Sequence, residues 1–285
     1  MPDADPTIGP MRRDEVAVLG RWAADEGWNP GKADLDIAWD TDPEAFIALR
    51  KGSELVGGGT IFSYAGLFGF MGLFIVRRDM RGDGLGGRLW RHRLKRLQNR
   101  LSPGAAIGMD GVFAMVPFYE RGGFVLAHKD LRFEGIARGS NDPHVRGLSE
   151  ADFETIDHFD RAHVPAPRTS FLRRWVFQPG ARTAALFEHD RLVGYAVARP
   201  ARVGFKFGPV FATDHEIAER RIGSLMAQFA GEQVQLDVPE PNEAGTRLAM
   251  KFGLKEVFGC ARMYCGPAPK LPVGRIFGVT SFEFG

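Results

Sequence analysis

The sequence carries one pattern of segments twice, which restricts the chain to folds built from two similar halves. Residues 48–57 (ALRKGSELVG) align with residues 185–194 (ALFEHDRLVG), 137 positions further on. In each segment apolar or alternating flanks surround a short polar centre, a pattern that predicts two antiparallel strands joined by a tight turn. Because such hairpins are common, the neighbouring segments decide whether the repeat extends further.

The segments that follow each hairpin recur in the same order. In the first half an apolar run, 68–76, precedes a glycine-rich stretch, 81–87, and an amphipathic segment. In the second half an apolar run, 205–211, precedes Asp214, a candidate helix N-cap, and another amphipathic segment. Both halves therefore predict a strand, a loop and a helix after the hairpin.

A segment rich in Gly, Ser, Asn, Asp and Pro separates the two halves. This segment, 135–144 (GIARGSNDPH), contains few apolar residues and is typical of a linker. We therefore expect two domains of the α+β class (mixed α/β), residues 1–138 and 139–285. A chain of 285 residues is long enough to bury two cores of this size.

Charge and cysteine content exclude several classes of protein. The 37 basic residues nearly balance the 35 acidic ones without long charge runs, so no nucleic-acid partner is expected. No apolar run approaches the roughly 18 residues that span a membrane, so no membrane partner is expected. Cys260 and Cys265 lack neighbours at metal-ligand spacing. We expect a cytoplasmic protein with reduced thiols and no metal.

The stretch after the first apolar run has the composition of a phosphate-binding loop. Glycines allow the backbone to approach a ligand, and the free N–H groups at the start of a helix favour an anion such as a pyrophosphate. Two arginines add positive charge. The candidate loop residues are Arg81, Gly82, Asp83, Gly84, Leu85, Gly86, Gly87 and Arg88.

The same glycines also match the dinucleotide-binding pattern GxGxxG, at Gly82, Gly84 and Gly87. An NAD-binding oxidoreductase is therefore an alternative. That pattern belongs to the first strand and helix of a parallel sheet, whereas here more than 70 residues and a hairpin precede it. The position of the loop in the chain argues against a nicotinamide cofactor.

A second motif makes the assignment more specific. Arg81, Gly84 and Gly86 form R-x-x-G-x-G directly after an apolar strand, and residues 118–124 (FYERGGF) follow about 35 residues later. In these motifs the first half resembles the GNAT superfamily of N-acetyltransferases. Residues 26–31 (EGWNPG) also resemble a bacterial GNAT subgroup with a second, degenerate GNAT-like domain at the C-terminus. The resemblance implies tandem domains, each with a mixed, mostly antiparallel central sheet flanked by helices. It also implies acetyl-CoA as co-substrate and a primary amine as acceptor.

The resemblance assigns roles to individual residues. The end of the strand, Phe74, Ile75 and Val76, would pair with the pantetheine arm of acetyl-CoA, and residues 81–88 would bind its pyrophosphate. Tyr119 occupies the position at which the family has a general acid, which protonates the departing thiolate. A tyrosine with an ordinary pKa near 10 stays protonated at neutral pH and suits that task.

The sequence leaves the general base and the acceptor open. The central strand, 70–76, has no ionisable side chain, so the remaining candidates are Glu26 and Asp110. Glu26 lies in a Gly- and Pro-broken segment, where the family walls its acceptor pocket, together with Trp28 and Asn29. Two carboxylates would favour a cationic small-molecule amine, although protein amines stay possible.

The second half lacks the motifs of the first. At an offset of 136, Arg81 corresponds to Ile217 and Gly84 to Arg220, and in the later motif Tyr119 corresponds to Ala249. We expect a degenerate GNAT-like domain that covers the acceptor pocket or forms an interface, so that a homodimer stays open. A non-catalytic acetyl-CoA sensor or scaffold is the main alternative function, and substitution of Tyr119 would distinguish it from an enzyme.

Overall fold

The strands of both halves form one continuous sheet. The computed structural model of the protein describes residues 5–285, so residues 1–4 of the predicted first domain lie outside the described residues. The elements of the first half are β1 (Pro6–Pro10), α1 (Arg13–Asp25), α2 (Asp34–Thr41), β2 (Phe46–Lys51), β3 (Glu54–Tyr64), β4 (Phe68–Val76), α3 (Leu85–Gln98), β5 (Ala106–Val112), α4 (Val116–Arg121) and β6 (Val125–Ile136).

The second half repeats this order and ends with one additional short strand. Its elements are β7 (Val145–Arg146), α5 (Phe153–Arg161), α6 (Thr169–Val176), β8 (Arg182–Glu188), β9 (Arg191–Pro200), β10 (Phe205–Ala212), α7 (His215–Gln228), β11 (Gln233–Pro239), α8 (Glu243–Lys251), β12 (Lys255–Cys265) and β13 (Ile276–Gly278).

The repeated hairpins and the strand–loop–helix units are confirmed. β2 pairs with β3 and β8 with β9, both antiparallel. The turn of the second hairpin uses His189 (φ 48°) and Asp190 (φ 62°), the left-handed geometry that matches the twist of a tight hairpin. Asp214 caps α7, because its Oδ1 accepts a hydrogen bond from the N–H of Ile217 at 2.9 Å.

The two halves exchange their last long strands. The sheet order is β1-β2-β3-β4-β5-β12-β6-β11-β10-β9-β8-β7, with β13 beside β10. β12 of the second half therefore lies between β5 and β6 of the first, and β6 has β12 and β11 of the second half as neighbours. Only β4–β5 and β10–β11 are parallel pairs among the described strands. This mixed sheet differs from the parallel sheet of a dinucleotide-binding fold.

Helices cover both faces of the sheet. On one face α1, α2, α5 and α6 contribute to a single apolar core that both halves share. On the other face α3 and α4 pack over the first half, and α7 and α8 over the second, as separate cores. The segment after β12 folds back onto the protein, and its side chains Phe277, Phe282 and Phe284 are buried.

Candidate active site

A cavity opens where β4 and β5 separate. The two parallel strands pair only at residues 68–70 and 106–108, although β4 continues to Val76 and β5 to Val112. Beyond the last pair the strands diverge, and a cavity of about 470 Å³ lies between them and the overlying segments. This volume lies within the usual range of small-molecule sites.

A bulge in β4 turns its backbone toward this cavity. Thr60 pairs with Gly72 and Gly58 with Ile75, so that Gly59 alone faces two residues, Leu73 and Phe74. Leu73 has φ 50°, a left-handed conformation that costs a residue with a side chain about 1–3 kcal/mol. Leu73, Phe74, Ile75 and Val76 all line the cavity. The bulge thus places the end of β4 where the sequence predicts a pantetheine contact.

A buried arginine of α3 contacts both β3 and β4 at the residue pair next to the bulge. Arg93 Nη2 donates hydrogen bonds of 2.6 Å to the carbonyl oxygens of Thr60 and Gly72. The guanidinium passes directly under Gly59, where a Cβ atom would lie 2.5 Å from Arg93 Cζ. Burial lowers the pKa of Arg93 to about 9, so it stays charged at neutral pH.

Arg93 belongs to none of the sequence motifs, although its position in the helix carries a signal. Leu85, Leu89, Arg93 and Leu97 follow one another at intervals of four, so the arginine lies on the apolar stripe of its helix. A charged residue at such a position needs a buried partner, and here strand carbonyls supply it.

The glycine-rich loop has open backbone geometry at the start of α3. Gly84, the N-cap residue, has φ 75°, and no side chain caps the helix. Gly82 has φ 105°, and a Cβ atom at either glycine would meet nothing within 4 Å. These uncapped N–H groups, with the helix dipole, form a suitable anion site. Arg81, Gly82 and Gly86 line the cavity.

The other predicted loop residues lie outside the lining of the cavity. Asp83 and Gly84 are exposed, and Gly87 is half-buried. Leu85 packs in the core under α3, and Arg88 Nη2 donates to the Pro6 carbonyl at 3.2 Å.

Tyr119 of α4 closes the cavity on the side of α3. Its ring packs at 5.0 Å from Trp90 and against Gly111, where a Cβ atom would lie only 2.4 Å from the ring. Burial raises the pKa of Tyr119 to about 12, against the opposing effect of Arg93. The phenol therefore remains protonated over the whole physiological range of pH and can donate a proton.

Both carboxylates predicted as bases line the cavity, but each is paired with arginine. Glu26 Oε1 accepts from Arg81 Nη2 at 2.7 Å. The Asp110 side chain is fully buried, and its two oxygens accept from Arg262 Nε and Nη2 at 2.6 and 2.7 Å. Burial and the neighbouring Asp130 raise the pKa of Asp110, whereas Arg262 lowers it; the net direction is upward.

Trp28 and Asn29 are both predicted to contact the acceptor, but only Trp28 lines the cavity. Asn29 is absent from the lining, because its side chain donates to the Val203 carbonyl and to Gln235 Oε1, both at 3.0 Å, and accepts from the Val203 N–H at 2.9 Å. Asn29 therefore connects the first half to the second, and the structure gives no support to a contact with substrate.

The second half supplies one wall of the cavity, with four residues that the sequence motifs did not single out. Phe258 and Cys260 come from β12, and Phe282 and Glu283 from the final segment. Burial raises the pKa of the Cys260 thiol, so it is protonated at neutral pH. These residues reach the cavity through the strand exchange and the returning final segment.

The corresponding cleft of the second half is filled by the chain itself. β10 and β11 pair only at residues 205–207 and 234–236, like β4 and β5. Between their diverging ends β13 pairs with β10, and the N–H of Val279 donates to the Asp237 carbonyl at 2.8 Å. A strand of the protein therefore lies where the first half has its cavity, which supports the prediction that the second half is degenerate.

Two family models match the chain, one in each half. An "Acetyltransferase (GNAT) family" model matches residues 14–124, and an "Acetyltransferase (GNAT) domain" model matches residues 156–278. The chain belongs to the GNAT superfamily. It is an acyltransferase of that superfamily with two GNAT domains, as the sequence motifs predicted. GNAT enzymes in general use acetyl-CoA.

Relatives and solved structures share this organisation along their whole length. The holothin acyltransferase of Pseudoalteromonas sp. (strain SANK 73390) is 25% identical over 98% of this chain and 94% of that protein. The crystal structure of a candidate acetyltransferase from Pyrococcus horikoshii superposes with a TM-score of 0.84 at 20% identity, covering 98% and 96% of the two chains. A tandem GNAT protein from the clavulanic acid biosynthesis pathway gives 0.64 at 12% identity, covering 93% and 100%.

Two further findings concern the described residues of this GNAT protein. Residues 5–285 contain no cluster of three or more His, Cys, Asp or Glu side chains arranged to hold a metal ion. Within the same residues, no helix has both the length and the apolar character needed to cross a membrane.

Proposed function

We propose that this GNAT protein transfers the acetyl group of acetyl-CoA to a primary amine by direct attack of the amine on the thioester. The observation that carries the proposal is one cavity lined by three groups together: the bulged end of β4, the loop at Arg81, Gly82 and Gly86, and Tyr119. In this proposal the three groups contact the pantetheine, the pyrophosphate and the thioester, respectively, within one cleft.

The residues divide the chemistry between them. The uncapped N–H groups at the start of α3, with Arg81, bind the pyrophosphate. The backbone at Phe74, Ile75 and Val76 pairs with the pantetheine, and the N–H groups near Ile75 and Val76 stabilise the carbonyl oxygen during attack. The amine nitrogen forms a bond to the carbonyl carbon, the carbon–sulfur bond breaks, and Tyr119 gives its proton to the thiolate.

A covalent acetyl-enzyme at Cys260 is the less favourable route. Burial keeps this thiol protonated, and the thiol form is a poor nucleophile. In the direct route the acceptor reaches the thioester from the wall that contains Trp28, Phe258 and Phe282. The second half thus acts as a wall of the acceptor pocket.

The acceptor we propose is a small molecule rather than a protein chain. The wall from the second half narrows the cavity on the acceptor side, and its volume of about 470 Å³ must also admit the end of the cofactor. One relative is named holothin acyltransferase, which gives holothin as the molecule that it acylates.

Calorimetric titration with acetyl-CoA, with NADH as control ligand, tests the proposal. The wild type should bind one acetyl-CoA per chain with micromolar affinity. The double variant Arg81→Ala, Gly84→Arg should lose binding. A matched double variant, Arg202→Ala, Gly231→Arg, places the same changes on exposed residues of the second half, where Gly231 also has a positive φ (88°); it should bind as the wild type does. Equal loss in both variants, or a second site per chain, would contradict the assignment.

A further inference from the structure

Glu283 carries a buried carboxylate that belongs to no sequence motif and has no role in the proposed transfer reaction. Its side chain is only 5% exposed, and the residue lines the cavity. Its Oε2 atom has no hydrogen-bond partner among residues 5–285. A buried carboxylate oxygen without a partner is costly unless a ligand supplies a donor.

The residues around Glu283 fix its backbone position, but none of those described donates a hydrogen bond to its Oε2 atom. Its backbone carbonyl packs so closely on β4 that a Cβ atom at Gly72 would lie 2.0 Å away. The nearest cation is Lys206 of β10, whose Nζ lies 3.9 Å from Glu283 Oε1, beyond hydrogen-bond distance. Lys206 Nζ is itself buried without a hydrogen-bond partner in the described chain.

The other carboxylates at the cavity are engaged in a way that Glu283 is not. Glu26 accepts from Arg81 at the phosphate loop, and Asp110 accepts two hydrogen bonds from Arg262. Both oxygens of Asp110 and Oε1 of Glu26 therefore already have charged donors. Among the three carboxylates that line the cavity, Glu283 alone has a buried oxygen without a donor in residues 5–285.

The remainder of this wall is apolar. Trp28, Leu73, Phe258 and Phe282 line the cavity near the final segment. A carboxylate among aromatic and aliphatic side chains fits a molecule with an apolar body and one ammonium group, because the ammonium supplies the missing donor and the opposite charge.

We propose that Glu283 binds the ammonium group of an apolar primary amine in this cavity and takes one proton from it before transfer. The inference rests on the function proposed above and specifies its acceptor. The ammonium gives one proton to the Glu283 carboxylate, the neutral amine attacks the acetyl carbonyl, and the carbon–sulfur bond breaks. Tyr119 protonates the thiolate, and the second proton lost by the nitrogen restores the Tyr119 phenol. Glu283 releases its proton to solvent, so one amide, one free thiol and one proton result.

Binding of two probes that differ in charge tests whether Glu283 binds the ammonium group. The full chain, saturated with CoA, is titrated with 2-phenylethylamine and with 2-phenylethanol, which has the same apolar body without the ammonium. The wild type should bind the amine at least tenfold more tightly. In Glu283→Gln, which keeps the shape of the side chain, this preference should disappear. The exposed control Glu256→Gln should retain it.

Acetyl transfer to 2-phenylethylamine, followed by release of free thiol, tests the second part. Glu283→Gln should lower kcat at pH 7 by 10²–10⁴-fold, and the loss should shrink as pH rises, because the free amine then forms without a base. Glu283→Asp, which keeps the carboxylate, should recover part of the rate. Lys206, Arg132 and Cys260 interact with the Glu283 charge, so their titration changes in Glu283→Gln; Glu283→Asp, which keeps the charge, is the reference profile for that effect.

The outcomes separate this inference from the proposed function. An unchanged amine preference or an unchanged kcat in Glu283→Gln, with intact CoA binding, would overturn the role of Glu283 alone. Failure of the amine probe to bind a CoA-saturated wild type would overturn the proposed acceptor class. Failure of the wild type to bind acetyl-CoA would overturn the proposed function instead.

Discussion

Arg262 of β12 donates two hydrogen bonds, of 2.6 and 2.7 Å, to the carboxylate of Asp110 on β5. The same guanidinium lies 3.2 Å from Asp130 of β6. One arginine of the second half therefore links carboxylates on β5 and β6 of the first half, at the place where the strands are exchanged. The pairing explains why Asp110, although it lines the cavity, is poorly suited to act as a free base.

Arg262→Met should destabilise the protein strongly. It leaves Asp110 buried without its counter-ion and Asp130 with only His128 nearby among residues 5–285, and loss of one partner of a buried ion pair costs about 3–5 kcal/mol. Urea unfolding measures the free energy. The control Arg247→Met removes an arginine from an exposed pair with Glu243 and should change stability little. A similar small effect of both variants would contradict a structural role for Arg262.

Tyr119→Phe should lower the rate of acetyl transfer and leave cofactor affinity intact. Loss of a general acid costs about 10²–10⁴-fold in kcat, whereas the ring that packs on Trp90 is retained. Acetyl-CoA affinity, measured by calorimetry, should stay within about threefold of wild type, as expected when only a rate-determining proton donor is lost. Tyr264→Phe, buried outside the cavity, serves as the matched control. A fully active Tyr119→Phe would favour a proton donor other than tyrosine.

The pH profile of the wild type should show no loss of the acid below pH 10. The pKa of Tyr119 is raised to about 12, so the phenol stays protonated through pH 6–10 and loses its proton only above that range. Initial rates with an amine acceptor across pH 6–10 check this expectation. A fall in rate near pH 9 that is absent in Tyr119→Phe would show that the phenol titrates lower.

Gly59→Ala should disturb the bulge of β4 from beneath. The new methyl group would lie 2.5 Å from Arg93 Cζ, so the guanidinium would have to leave the carbonyl oxygens of Thr60 and Gly72. We expect a loss of about 1–3 kcal/mol in stability and a lower kcat/KM. Gly9→Ala is the control, because a Cβ atom there meets nothing within 4 Å. Wild-type kinetics in Gly59→Ala would refute the role of Arg93 in holding the bulge.

The ion pair between Asp237 and Arg132 should make the free energy of unfolding fall at acidic pH. Burial alone would raise the pKa of Asp237, but Arg132, which donates two hydrogen bonds of 2.7 Å, lowers it overall. A lowered folded pKa gives stability that is present above the unfolded pKa, near 3.9, and is lost as pH falls through the folded value. Unfolding free energies between pH 6 and pH 2.5 should therefore decline less steeply in Asp237→Asn. Parallel curves would contradict this coupling.

Cys260→Ala should retain most of the acetyl transfer activity. The thiol lines the cavity, but burial keeps it protonated, so direct transfer does not need it. Mass spectrometry of the wild type incubated with acetyl-CoA should find no acetyl group on Cys260. A stable acetylated peptide containing Cys260, together with loss of activity in the variant, would instead indicate a covalent route.

Local patterns in the sequence determined much of the fold and the cofactor side of the site. The repeated hairpins, the strand before the glycine-rich loop and the helix after it were predicted because each depends on residues close together in the chain. The loop glycines have the positive φ that their composition suggests, at Gly82 and Gly84. The position of Tyr119 in the cavity agrees with its motif, and its role as acid stays a prediction.

Tertiary structure alone decided the acceptor side. Whether a carboxylate is free or paired depends on partners far away in the chain: Arg81 lies 55 positions from Glu26, and Arg262 lies 152 positions from Asp110. Asn29 is likewise committed to Val203 of the other half. Glu283 reaches the cavity only because the halves exchange strands and the final segment returns across β4. Such long-range contacts leave no periodic trace in the sequence, because they follow from how the two halves pack together.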